Sequence, residues 1–295
     1  IVAGGPTTFC AGANVVLSIT AYTGFTYQWY SNGVAISGAT STSYTATTSS
    51  NYTVIQTNGT VSSSVSVATT VTVNTLPTAT ATPGGSTTFY QGSSVSLAAN
   101  TGTGLTYQWY QNGTTLITGA TSATYVASTT ASYTVVVTNA NGCSQTSNAI
   151  AVTANTIPTP VITANGPTTF CQGGVVMFTA TVVTGMSYQW YNNGVAITGA
   201  TSTTYSTSVA GNYTFTQRNG TVTSAVSNTQ TCTVNPLPIA SISAGGATTF
   251  YNGSNVILTA VTGTGYLYQW YANGLPISGA TTNTYTASTA ATYYV

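Results

Sequence analysis

Apolar and polar positions alternate along much of this chain. In Val16-Leu17-Ser18-Ile19 and again in Tyr27-Gln28-Trp29-Tyr30, side chains two residues apart share a face, so Tyr27 and Trp29 point one way and Gln28 and Tyr30 the other. No stretch has a helical period. An Asn-Gly pair follows each such strand (Asn32-Gly33, Asn112-Gly113, Asn193-Gly194, Asn273-Gly274) and predicts a tight hairpin. Next come a Gly-Ala-Thr turn and a strand carrying Tyr44, Tyr125, Tyr205 or Tyr285. A last hairpin begins at Tyr52, Tyr133 or Tyr213 and is expected to turn at Asn58-Gly59, Asn141-Gly142 or Asn219-Gly220. Short strands with a turn signal about every 8–12 residues predict an all-β sandwich.

The whole pattern occurs four times. Tyr-Gln-Trp-Tyr recurs with its indole at Trp29, Trp109, Trp190 and Trp270, a period near 80 residues. That is too long for a solenoid repeat and suits a complete small sandwich domain in a tandem array. Segments containing Pro77, Pro158, and Pro236 with Pro238 separate the units. The expected domains are therefore residues 1–75, 76–156, 157–236 and 237–295, the last without a final strand. Proline fixes its own φ and cannot donate to a ladder, so the connectors are expected to be stiff and the string elongated. Units one and three match best, as do two and four, so the underlying repeat is a pair of domains.

Composition removes most chemistry. Among 295 residues there is one basic side chain, Arg218, and no Asp, Glu or His. General acid–base catalysis needs a group titrating near the working pH, and a catalytic zinc or iron site needs His or carboxylate ligands. Calcium is held mainly by carboxylates. No catalytic residue, metal or cofactor is therefore expected. A net charge of +1 gives no footprint for nucleic acid or anionic lipid. No apolar run approaches the roughly 18 residues of a membrane helix, so no membrane insertion is expected of this segment. With 42% hydrophobic and 11% aromatic residues in a Thr-, Ser- and Val-rich background, the chain is composed of strand formers and is not expected to be disordered.

The run Gly5-Pro6-Thr7-Thr8-Phe9-Cys10, then Tyr27-Gln28-Trp29-Tyr30, Asn32-Gly33-Val34-Ala35-Ile36, Gly38 through Tyr44, and Asn51-Tyr52-Thr53-Val54, resembles the Ig-like repeats of very large surface adhesins of the Bacteroidota. The resemblance covers all four units. It implies export, typically by the type IX secretion system, a cell-surface location, and in some members a role in gliding motility. Such repeats usually carry Lys, Asp and Glu on their surface; this chain has no Lys, Asp or Glu at all.

Individual residues take their expected roles from the sandwich. Trp29, Trp109, Trp190 and Trp270 stand where an immunoglobulin domain keeps its core Trp. Tyr52, Tyr133, Tyr213 and Tyr293 stand at the tyrosine corner, two residues before a core position held here by Val54, Val135, Phe215 and Val295 in place of the usual Cys. Tyr30, Tyr110, Tyr191 and Tyr271 are expected to face outward, as cross-strand surface residues or as contacts for a glycan or protein. Cys10 and Cys171 precede the turn after the first strand of units one and three, and Cys143 lies in the last hairpin of unit two. In a tandem sandwich these two turns occupy facing poles of successive domains. A Cys10–Cys143 disulfide joining units one and two is therefore expected, with Cys171 awaiting a cysteine about eight residues past Val295; the alternative is that these are free thiols. Cys232, in a strand position held by Val71 in unit one, is expected to be a buried small hydrophobe.

Three functions fit. The chain is first a structural or adhesive stalk segment of a long secreted cell-surface protein. Second, it is a subunit of a self-assembling extracellular filament or sheath, since an uncharged surface lacks self-repulsion. Third, it is a carbohydrate-binding module using exposed Tyr. Its partners on these readings are other copies or further repeats of the same protein, and extracellular glycans or surfaces.

Overall fold

The computed structural model describes all 295 residues, and every regular element in it is a strand. In the first repeat these are β1 (Val2–Ala3), β2 (Thr8–Cys10), β3 (Val15–Ser18), β4 (Phe25–Ser31), β5 (Val34–Ala35), β6 (Ser43–Ala46), β7 (Ser50–Asn58), β8 (Val61–Ser62) and β9 (Thr69–Asn74). They form two sheets, β1-β3-β6 and β2-β9-β7-β4-β5 with β8 on the end of β7. The same two sheets recur at residues 81–155 and 162–235. The chain is thus a tandem array of immunoglobulin-like β-sandwiches.

The first strand is split between the sheets. Val2–Ala3 pairs antiparallel with β3, whereas Thr8–Cys10 crosses over and runs parallel to β9 in the register Thr8↔Thr72, Phe9↔Val73, Cys10↔Asn74. Nothing in the local alternation predicts that parallel pairing. The fourth repeat forms the sheets Ile242–Ala244, Val256–Ala260, Thr284–Ala287 and Leu275–Pro276, Tyr271–Ala272, Tyr293–Tyr294. Its Thr249–Tyr251 segment has no parallel partner and is not a strand.

The cores follow the alternation. Leu17, Trp29 and Tyr52 are sealed between the two sheets of the first repeat, with Val15, Val54 and Val71 around them. The third repeat substitutes larger groups, with Phe178 for Leu17 and Phe215 for Val54, and the Trp190 and Phe215 rings meet edge-on at 4.9 Å. Asn32 and Gly33 both have positive φ, 47° and 80°, and the equivalent Asn-Gly pairs do the same, which is the backbone a two-residue hairpin following the strand twist requires. In the last hairpin the turn falls one residue later than the sequence suggests. Asn58 and Asn219 are the final strand residues, paired with Val61 and Val222, because only Gly59 and Gly220 take the left-handed conformation.

The chain divides into two compact units, residues 1–157 with 218–223, and residues 158–217 with 224–295. No helix is long and apolar enough to cross a membrane.

Candidate interdomain and surface site

Cys10 ends β2, where the parallel ladder with β9 hands over to a turn; the next amide, Ala11 N, donates to Asn74 O at 2.8 Å. Cys143 sits in the loop joining Ala131–Thr138 to Ser144–Thr146. That loop is shaped by Asn139, whose Oδ1 accepts from Asn141 N at 3.1 Å and from Cys143 N at 3.0 Å. Its Nδ2 donates to Thr75 O at 2.9 Å, so one carboxamide both folds the hairpin and seats it on the end of the first sandwich. Cys10 and Cys143 are joined in a disulfide with a Cα–Cα distance of 5.6 Å, inside the range that unstrained backbones allow. Cys143 is fully buried.

Cys171 holds the same place in the third repeat, at the end of a strand parallel to Gln230–Asn235, and is exposed and free. Cys232 is free and buried, and burial raises its thiol pKa, which keeps it protonated and inert.

Each of the four Trp residues is completely buried, and each indole Nε1–H donates to a backbone carbonyl: Ser41, Ser122, Ser202 and Thr282, at 2.8–3.0 Å. The Tyr52, Tyr133, Tyr213 and Tyr293 hydroxyls each donate to the carbonyl four residues upstream, at 2.8–3.1 Å. This is the tyrosine-corner arrangement. In each Tyr-Gln-Trp-Tyr segment the second Tyr lies out of phase with the buried Trp, on the opposite face of the strand. Tyr30, Tyr110 and Tyr191 are half-buried, and Tyr271 is 36% exposed. Tyr30 has Ala35 and Thr53 as its cross-strand neighbours.

Alternation alone gives no hint of what Gln28 does. Its Nε2 donates to Trp29 O at 2.9 Å and Ile36 O at 2.7 Å, pinning the β4–β5 hairpin, and Gln108, Gln189 and Gln269 repeat the pair of bonds. Its recurrence inside every Tyr-Gln-Trp-Tyr was the available signal. Asn148 and Asn228 act alike, each pairing through both amide atoms with the backbone of the first strand, at Ala81 and Ile162. In a chain without carboxylates, carboxamides supply the directed polar contacts.

Residues 77–158 match the family model described as Ig-like domain CHU_C associated, so the second repeat is an Ig-like domain of that kind. Among solved structures, murine CEACAM1b is 16% identical, covering 54% of this chain and all of its own, with a TM-score of 0.28. Domains 3–5 of Drosophila OTK are 13% identical over 77% of this chain and 93% of theirs, with a TM-score of 0.27. An I-band fragment of titin is 12% identical over 78% and 95%, with a TM-score of 0.33. No curated protein matches.

Proposed function

We propose that this chain is a structural and adhesive repeat segment of a long secreted protein, holding a binding region away from the cell as a stalk. The observation that carries this reading is the Cys10–Cys143 bond between successive sandwiches. A covalent tie between two domains that each have their own core adds little to either core; it limits bending at the joint, and it persists only in an oxidising compartment. The chain has no Asp, Glu, His or Lys to serve as a general acid or base, which favours a structural role over a catalytic one. The match of residues 77–158 supports an Ig-like repeat, and we infer beyond it that the parent protein is a surface adhesin of the type IX-exported, gliding-associated kind. Antibody against the segment should label intact producing cells, and labelling that requires lysis would refute the reading.

A second reading, an extracellular assembly, is favoured by a surface bearing a single formal charge among 295 residues. The half-burial of Tyr30, Tyr110 and Tyr191 gives the glycan-binding reading less support than a flat exposed aromatic platform would.

A further inference from the structure

In the first compact unit the carboxamide of Asn219 clamps the turn Tyr90-Gln91-Gly92-Ser93. Its Nδ2 donates to Tyr90 O at 3.2 Å, Gln91 O at 3.0 Å and Ser93 Oγ at 2.9 Å. The backbones meet through glycine, since a Cβ at Gly92, whose φ is 95°, would strike the Asn219 carbonyl. Beside this clamp lies an open cleft of about 650 Å³, within the roughly 300–1,000 Å³ of small-molecule sites. Its other wall is the loop after Thr124–Ala127, and that loop is held as well. The Thr129 and Tyr133 hydroxyls are 2.8 Å apart, and Thr130 Oγ1 accepts from Ala154 N at 2.9 Å. Neither wall comes from the first or the fourth repeat, and hydrogen bonds within the unit fix both.

The groups that hold the walls are occupied; a second set is not. The Gln91 carboxamide and the hydroxyls of Ser94, Ser128 and Thr221 line the cleft and make no hydrogen bond within the chain. They share the lining with Val222 and with Val126, which is 59% exposed on the edge strand of its sheet. Each of the four polar groups can both donate and accept. No ionisable side chain lines the cleft. A phosphate, carboxylate or ammonium group would lose water there without meeting a counter-charge, and a lipid would strip water from the hydroxyls and the amide without replacing its hydrogen bonds. A ligand that matches this lining carries many hydroxyls, no charge, and a small C–H surface for the two valines.

We propose that this cleft binds a neutral saccharide. Sugar hydroxyls exchange hydrogen bonds with Gln91, Ser94, Ser128 and Thr221, and a C–H face of the ring rests on Val126. The site is separate from the Tyr30, Tyr110, Tyr191 and Tyr271 series. The first repeat has Ala11, Asn14 and Thr45 where the second has Gln91, Ser94 and Val126, so the lining is not a general property of these sandwiches. The proposal adds adhesion to the stalk reading without resting on it, because cell labelling tests location and saccharide binding does not.

The test is binding of the full chain, with its Cys10–Cys143 bond intact, to an array of immobilised oligosaccharides. Neutral members built from hexoses, deoxyhexoses and N-acetylhexosamines stand beside acidic ones bearing uronate, sialate or sulfate. The expected result is retention by neutral members only, with strength changing less than about threefold from about 0.05 to 1 M salt, since screening acts only on charge. Val126→Trp fills the cleft from an exposed position and abolishes binding, whereas Thr45→Trp, at the same strand position of the first repeat, leaves it unchanged. Gln91→Ala and Thr221→Val each remove one hydrogen-bonding group and weaken binding about three- to tenfold. The unfolding midpoints of the four variants should match that of the unaltered chain, which separates lost contacts from lost fold. A chain that no neutral oligosaccharide retains, retention confined to acidic members, or a Val126→Trp chain that binds like the unaltered one would each overturn the proposal, as would equal loss with Thr45→Trp.

Discussion

Asn192 and Gly211 face each other across the Ser187–Asn192 and Gly211–Asn219 strands, and neither residue makes sense alone. Gly211 has φ 154°, and a Cβ there would strike the Asn192 amide, whose Nδ2 reaches Tyr213 OH at 3.3 Å while its buried Oδ1 has no partner. The first repeat fills the same space with Ser31 and Ser50, hydroxyls 2.6 Å apart. Gly211→Ala should therefore destabilise the third sandwich by about 1–3 kcal/mol through overpacking. Asn192→Ser in the same chain should restore most of the loss, because the freed backbone can take the conformation that Ser50 has. Thermal unfolding of the single and double variants checks this; equal instability of the two would show that the amide is not the obstacle.

At the scale of elements, hairpins are held by side-chain amides and joined across domains by one disulfide. Replacing Gln108 by Ala strips two bonds from the Trp109 and Ile117 carbonyls, at 3.0 and 2.9 Å, a cost of about 1–2 kcal/mol. The expected sign is faster hydrogen exchange confined to residues 109–117. Cys143→Ser acts elsewhere. Each of the first two sandwiches has its own core, so their strands should keep their protection while residues 139–143 and 74–76 lose theirs. Loss of protection throughout both sandwiches would mean that the disulfide supports the cores themselves.

For the whole molecule, the missing charges set the response to solvent. With no Asp, Glu or His in the chain, no carboxylate or imidazole side chain titrates between about pH 4 and 7, so stability should be nearly flat there. Burial raises the phenol pKa of Tyr44 and Tyr125, each helped by a neighbouring Tyr, and that of Tyr213, where the Thr207 hydrogen bond opposes it. A pKa raised on folding means that the folded state holds its proton more tightly. The associated stability is complete below the unfolded value of about 10 and is lost as pH rises through the folded values. Thermal midpoints measured across this range should be level and then fall only on the alkaline side. Any binding should change less than about threefold between low and high salt.

Local pattern alone determines much of this protein. Alternation places Trp29 inside, Asn32-Gly33 can only turn, and the recurrence of both every 80 residues or so defines a string of sandwiches; these features depend on neighbours in sequence, where the side-chain period and backbone sterics act. The cysteine spacing, read through the sandwich, also put Cys10 and Cys143 at facing poles, where the structure joins them. Other features were settled only in three dimensions. The parallel pairing of Thr8–Cys10 with Thr72–Asn74, the half-burial of Tyr30 between Ala35 and Thr53, and the seating of Asn219 on Tyr90–Ser93 all join segments remote in sequence. Thr, Asn and Gln carry no charge to announce a partner, so their roles become visible only when folding brings a carbonyl or an amide within hydrogen-bonding distance.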